Sequence, residues 1–260
     1  MDNSSDQDYE QFKTMFFRLT GINLSLYKEE QMKRRLNTFR IRKNMPDFIS
    51  FFSEMRKSDE LLKEVLSRMT INVTEFYRNL PRWTILEKKI QKLAEHKENI
   101  SIWSAACSTG EEPYSLAMLL RKYVPDSRFS IVASDIDNDV LEKASEGRYL
   151  ERAVAGLPPD DLQNYFVHDG LFYSASQTLK KSIRFIRHDL LSDPVPSHFD
   201  LVVCRNVLIY FTDGGKNIIY HKLSDSLKDG GILFVGSTEQ IFHPETYQLK
   251  PEETFFYRKQ

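Results

Sequence analysis

The spacing of hydrophobic positions changes character once along this chain, between residues 70 and 100. In the first part Tyr9, Phe12, Phe16 and Leu19 recur at i, i+3, i+7 and i+10, one face of a helix, and Gly21 stands where a C-cap belongs. Met32, Leu36 and Phe39 mark a second helix over 27–44. Phe48, Phe51, Phe52 and Met55 mark a third, and Leu61, Leu62, Val65, Leu66 and Met69 a fourth. From residue 100 onward short apolar runs alternate with helical patterns, which predicts a mostly parallel sheet. The expected strands are 100–105, 130–135, 183–187, 199–204 and 231–236, with a closing hairpin between 246–250 and 254–259. The stretch 148–182 fits the alternation badly. Leu157-Pro158-Pro159-Asp160 starts a short helix there, and Gly170–Ser174 and Thr178–Lys181 read as small strands, so an inserted subdomain is expected. The chain thus divides into a helical domain, 1–70, and an α/β domain, 71–260.

Candidate chemistry concentrates where the first strand ends. Ile100–Trp103 runs into Ser104-Ala105-Ala106-Cys107-Ser108-Thr109-Gly110-Glu111-Glu112-Pro113 and then into the helical pattern of Tyr114–Leu120. A strand, a small-residue turn and a helix form the place where an open α/β sheet receives a nucleotide-like ligand. The turn has one glycine, no GxGxxG and no Lys-Ser/Thr, and two glutamates occupy the position a pyrophosphate would need. Acids there suit an ammonium group. Ser130–Asp135 ends a second strand in an acid, and such an acid accepts hydrogen bonds from ribose hydroxyls. A nucleoside with a cationic tail and no phosphate describes S-adenosylmethionine. The plainer reading of Thr109–Glu112 is a capping box, with Pro113 in the first helical turn.

Composition narrows the classes. The chain has 260 residues, 36 Lys+Arg against 37 Asp+Glu, and a formal net charge of −1, which excludes a global polycation. The residues from Met1 to Asp8 are polar and acidic, without the apolar core of a signal peptide, and no run approaches a membrane span. Two cysteines, Cys107 and Cys204, make neither a disulfide framework nor a zinc site. A cytoplasmic protein with free thiols and no bound metal is expected.

Four further segments complete a pattern: Met69–Arg78, Asp189-Leu190-Leu191, Phe199–Phe211 with its Arg205-Asn206, and Leu233–Glu239. Together with SAACSTGEEPYS and ASDID they resemble, in order and over nearly the whole chain, the CheR family of S-adenosylmethionine-dependent glutamate methyltransferases, most nearly its Gram-positive type. The resemblance implies a class I methyltransferase fold, α/β and Rossmann-like with a mostly parallel seven-stranded sheet, behind an all-helical N-terminal domain. It implies methyl transfer from S-adenosylmethionine, leaving S-adenosylhomocysteine, to glutamates of bacterial chemoreceptors, which forms methyl esters for chemotactic adaptation. Position by position it implies donor contacts at Asn72, Thr74, Arg78, Glu112, Asp135, Asp189, Leu190, Arg205 and Asn206, and a tyrosine facing the methyl group at Tyr210. Asp189 departs from the family, which has an asparagine there. Arg78 and Tyr210 are the catalytic candidates. The partner implied is the cytoplasmic domain of the receptors, bound by a monomer without nucleic acid or membrane insertion.

Each of these residues also has a plainer reading: Arg205 as a surface ion pair, Tyr210 as core, Asn72 and Thr74 as helix caps. Residues 33–43 carry six basic residues and no acid: Lys33, Arg34, Arg35, Arg40, Arg42 and Lys43. A solvated helix face explains such a run, and so does the receptor docking that the resemblance implies. A glutamate acceptor is ionised at neutral pH and needs no base, in keeping with six scattered histidines. Two other readings stay open. One is a nucleic-acid methylase, although Arg205–Tyr210 stands where amino-group methylases carry an Asn/Asp-Pro-Pro-Tyr signature. The other is a non-catalytic donor-binding module.

Overall fold

The computed structural model describes residues 3–260, which fall into two units: the chain up to Ile71 with Leu191–Asp193 and Leu208–Ile219, and the remainder from Asn72. In the first unit four helices follow one another: α1 (Asn3–Thr20), α2 (Glu29–Arg42), α3 (Phe48–Met55) and α4 (Asp59–Met69). Their ends are made as the sequence suggests. Asp47 and Ser58 cap α3 and α4 by accepting from Ser50 N and Leu61 N. Gly21 turns left-handed (φ 76°) and donates to the Phe17 carbonyl, closing α1. Glu29 and Glu30 open α2 and Arg40 and Arg42 close it, each sign at the end the helix dipole favours. Phe12, Phe16, Phe48 and Phe51 form an aromatic core, and the Asp8 carboxylate accepts from Phe48 N and Ile49 N. Leu19, expected on the buried face of α1, is exposed, because Tyr9, Phe12 and Phe16 already fill the contact with α3.

The second unit runs α5 (Leu80–His96), β1 (Ile100–Ala105), α6 (Glu111–Arg121), β2 (Phe129–Asp135) and α7 (Asn138–Glu146). The inserted stretch holds β3 (Arg148–Leu150), α8 (Glu151–Val154), α9 (Pro159–Tyr165), β4 (Phe166–His168), β5 (Phe172–Ala175) and α10 (Gln177–Lys181). Then come β6 (Ile183–Arg187), β7 (Phe199–Cys204), α11 (Asp213–Asp225, whose residues up to Ile219 belong to the first unit), β8 (Leu227–Val235), β9 (Leu249–Glu253) and β10 (Phe256–Lys259). Seven strands pair in the order β6-β2-β1-β7-β8-β10-β9, parallel except for the last two pairings. β1 and β7 are buried along nearly their whole length, as central parallel strands must be. The chain proceeds from β1 to β2 on one side and returns to β7 on the other, so the strand order switches at β1/β7 and opens a crevice at their carboxyl ends.

The inserted stretch makes a separate antiparallel sheet, β3-β5-β4. Thr178–Lys181, expected as a strand, lies in α10, whose first turn is capped by Ser176. Pro81 occupies the first turn of α5, where its missing N–H costs nothing. Among the described residues no helix is long and apolar enough to cross a membrane, and no cluster of metal-ligating side chains occurs.

Cys204 ends β7 opposite Ala105 in register, and Cys107 follows two residues later. Both thiols are free and buried, and burial, reinforced by nearby carboxylates, pushes their pKa values well up. The native protein is therefore expected to leave both thiols untouched by a water-soluble disulfide reagent, and the unfolded, unreduced protein to titrate two. Rapid native reaction of either would show the strand ends to be open.

Candidate functional site

The turn after β1 is built from left-handed residues. Ala106 (φ 63°), Ser108 (φ 50°) and Gly110 (φ 96°) all have positive φ, a conformation that non-glycine residues adopt only when the surroundings enforce it. The enforcing contacts come from β2: Cys107 N donates to the Ser134 carbonyl at 2.8 Å, and Ser108 N to Asp135 Oδ2 at 2.9 Å. Gly110 is required by packing inside the protein. A Cβ there would meet Ala144 Cβ at 2.9 Å and the Tyr149 hydroxyl at 3.1 Å.

The capping-box reading fails. Gly110 is the N-cap of α6 and has no side chain to cap with, while the Thr109 hydroxyl donates to Glu111 Oε2 at 2.7 Å. Glu112 is thereby left for the crevice. Its Oε1 accepts from Ser104 Oγ at 2.8 Å, and its Oε2 lies 3.4 Å from Arg205 Nη1. Arg205 is not at the surface either: its side chain is 4% exposed, its Nη2 donates to the Arg78 carbonyl at 2.7 Å, and its guanidinium stacks on Phe234 at 4.7 Å.

Asp135 ends β2 and is buried. One of its oxygens accepts from Ser108 N and the other from Asp137 N at 3.1 Å. Asp137 caps α7 and accepts at its other oxygen from Asn72 Nδ2 at 3.2 Å, which brings the irregular segment before α5 to the end of β2. Asn72 and Thr74 therefore cap no helix, and Thr74 is half-buried in that segment. Arg78 Nη1 donates to the Val73 carbonyl at 2.9 Å and forms no ion pair among the described residues. Asp189 and Leu190 are buried just beyond β6, where His188 N donates to the Asp135 carbonyl. Asn206 follows Arg205 in a left-handed conformation (φ 60°). The carboxyl ends of β6, β2, β1 and β7 thus gather Asp189, Asp135, Glu112, Arg205 and Asn206. Tyr210 lies in the other unit, half-buried, with the Arg35 guanidinium 4.9 Å above its ring.

The electrostatics are those of a crevice poor in water. Burial raises the pKa of Glu112, with Arg205 and the Ser104 hydroxyl pulling it back. Burial also raises that of Asp135 against the two backbone donors, and it lowers that of Arg205 against the attraction of Glu112. Among the described residues, the buried Ser108 Oγ, Arg205 Nε and His188 Nδ1 have no hydrogen-bond partner.

Comparison with known proteins decides the family. Residues 72–256 match the CheR methyltransferase SAM binding domain, and residues 7–70 match the CheR methyltransferase all-alpha domain. The chain belongs to the CheR methyltransferase family. A chemotaxis protein methyltransferase of Listeria monocytogenes is 44% identical over 256 residues, 98% of both chains. That of Escherichia coli K12 is 33% identical over 257 residues, covering 93% of this chain and 87% of that one. This CheR chain therefore carries a donor-binding domain for S-adenosylmethionine. Buried carboxylates stand where the sequence pattern expects an ammonium and a ribose, and Ser108 Oγ and Arg205 Nε offer polar atoms without a partner among the described residues.

Ser108 and Ser104 escaped the residue-by-residue reading. Only their place in the small-residue turn signalled them, since a serine there also serves simply to fit.

Asp135→Ala removes the acceptor for two backbone N–H groups. It is expected to lower thermal stability without donor, because each orphaned donor costs about 1–3 kcal/mol, and to weaken donor binding about ten- to a hundredfold. Unfolding curves and calorimetry check both, and an unchanged melting temperature would show that the carboxylate does not hold the turn. Donor affinity should also fall as pH is lowered, starting above the midpoint of ordinary carboxylates at about 4, because raised pKa values make Glu112 and Asp135 protonate early. Affinity constant down to pH 4 would contradict the assignment of these two acids.

Proposed function

We propose that this CheR methyltransferase converts glutamate side chains of bacterial chemoreceptors into methyl esters, in the cytoplasm and for chemotactic adaptation. The observation that carries the carboxylate acceptor is Arg78, a guanidinium held by a backbone carbonyl, without a carboxylate partner among the described residues, beside the buried Arg205. Full-length similarity to proteins named chemotaxis protein methyltransferases supports the receptor as partner.

S-adenosylmethionine supplies a methyl group on a positively charged sulfur, which a carboxylate takes by in-line displacement without moving a proton. Arg78 orients the acceptor carboxylate, and the resemblance gives Tyr210 the alignment of the methyl. Glu112 takes the amino-acid end of the donor, Asp135 its ribose, and Asp189 and Leu190 flank its adenine. Asp189 offers acceptors only, so an adenine amino group suits it. Asn72, Thr74, Arg205 and Asn206 complete the walls. The residues act by orientation and exclusion of water, since charge is neutralised toward the transition state.

The basic helix serves two tasks in this reading. Lys33 lies over Tyr9, Arg40 binds Asn37 and the Met45 carbonyl, and Lys43 pairs with Glu64 at 2.8 Å. Arg35 donates to the Met69 carbonyl and covers Tyr210. Arg34 and Arg42 are exposed and lie about 12 Å apart along α2. With Arg68 they border a groove of about 350 Å³ between α2 and α4 whose lining holds no acid. We assign docking of an acidic receptor helix to Arg34, Arg42 and Arg68, and support of Tyr210 to Arg35.

Label transferred from S-adenosylmethionine to receptor-containing membranes should be released as methanol by mild base, whereas an N-methyl product resists. A base-stable label would move the enzyme to another acceptor class. Arg34→Glu with Arg42→Glu should weaken receptor methylation at low salt, with the defect shrinking as salt screens charges beyond about 8–10 Å. Arg35→Ala should lower the transfer rate at every salt concentration. Identical salt profiles for the two variants would contradict the division.

A further inference from the structure

The segment Gly236-Ser237-Thr238-Glu239, just past β8, contains a buried carboxylate that no contact with donor or acceptor explains. Glu239 is 4% exposed. Its Oε2 alone accepts two backbone bonds, from Asn206 N at 2.7 Å and from Gly236 N at 2.8 Å. Glu239 N returns a bond to the Gly236 carbonyl at 3.0 Å. One oxygen thereby joins the turn after β7 to the turn after β8, and it does so at the left-handed Asn206. Gly236 is required for the same reason. A Cβ there would fall 2.3 Å from Glu239 Oε2 and 2.8 Å from Asn206 N.

We propose that Glu239 is a positioning residue for methyl transfer, acting through Asn206 and Arg205 as the acceptor that holds the turn after β7 in its binding conformation. Asparagine enters the left-handed region more readily than other non-glycine residues, but an exposed loop would leave it free to depart from it. The 2.7 Å bond to Asn206 N holds it there. Arg205 precedes this bond by one residue, so its guanidinium reaches Glu112, the Arg78 carbonyl and Phe234 only while the turn is held. The carboxylate charge adds to the effect by attracting Arg205 in a buried setting. Seen from the other side, Glu239 holds a negative charge near Glu112 and helps to raise its pKa, a cost that a merely space-filling residue would avoid.

Asp200 offers the control. It is an equally buried carboxylate at the opposite, amino-terminal end of the same sheet, where it accepts from Ser101 N at 2.9 Å and Lys228 Nζ at 2.7 Å. The inference rests on the donor-binding reading of the crevice, so the test reads donor-product binding apart from turnover. S-adenosylhomocysteine affinity is measured by calorimetry, together with thermal unfolding and single-turnover transfer to receptor membranes, for wild type, Glu239→Gln, Glu239→Asp and Asp200→Asn. Glu239→Gln keeps an acceptor oxygen at the same reach and should stay within about threefold of wild-type affinity. Glu239→Asp is one methylene too short for both N–H groups and should lose about tenfold or more in affinity and in rate, a difference equivalent to one lost hydrogen bond to a charged group. Asp200→Asn should lower the melting temperature while leaving affinity unchanged. Wild-type affinity in Glu239→Asp, or equal affinity losses in Glu239→Asp and Asp200→Asn, would overturn the proposal. Equal losses in Glu239→Gln and Glu239→Asp would overturn the role of the acceptor. Failure of wild type itself to bind S-adenosylhomocysteine would instead overturn the reading of the crevice.

Discussion

A buried guanidinium organises the crevice. Arg205 sits at the end of a central strand with its side chain 4% exposed, and a charge so placed is tolerable only when paired. Its partners come from three directions: Glu112 from the start of α6, the Arg78 carbonyl from the segment before α5, and Phe234 from β8. Removing one member of such a pair leaves the other uncompensated, at about 3–5 kcal/mol. The pair thus makes the strand ends interdependent. It also explains why Glu112 is drawn toward Arg205 although burial opposes its charge.

From that constraint the chemistry follows. A donor with a positive tail finds carboxylates that are held by hydrogen bonds and poorly hydrated, so their charge is poorly screened. Asp135 is held by the Ser108 and Asp137 N–H groups and Glu112 by the Ser104 hydroxyl, which fixes both carboxylates in place without a ligand. Preorganisation of this kind is what a displacement without proton transfer can use, since orientation and dryness are the contributions left to the protein.

Much of this was legible in the sequence because it rests on backbone periodicity. Strands β1, β2, β6 and β7 are runs of apolar residues ended by small or polar ones, and their order places Asp135 beside the turn at Gly110. Of the N-terminal helices, α3 and α4 carry side-chain caps of their own, Asp47 and Ser58, and Gly21 closes α1. What stayed hidden depended on tertiary choice. Thr109–Glu112 satisfies the spacing of a capping box, yet Arg205, distant in sequence, draws Glu112 away. Thr178–Lys181 is too short for its periodicity to separate strand from helix, and Ser176 decides for helix. Pro81 reads equally as a turn or as the first turn of α5. The six basic residues of 33–43 look alike in sequence, whereas partners as remote as Met69 and Tyr210 give each a different task.

The most direct measurement is a crystal structure with S-adenosylhomocysteine bound. The ribose hydroxyls are expected on Asp135, the amino group on the Glu112 side of the crevice, and new partners on Ser108 Oγ and Arg205 Nε. A ligand seated away from Asp135, or bound in a crevice where Ser108 Oγ and Arg205 Nε stay without partners, would contradict the role assigned to the carboxyl ends of β1, β2 and β7.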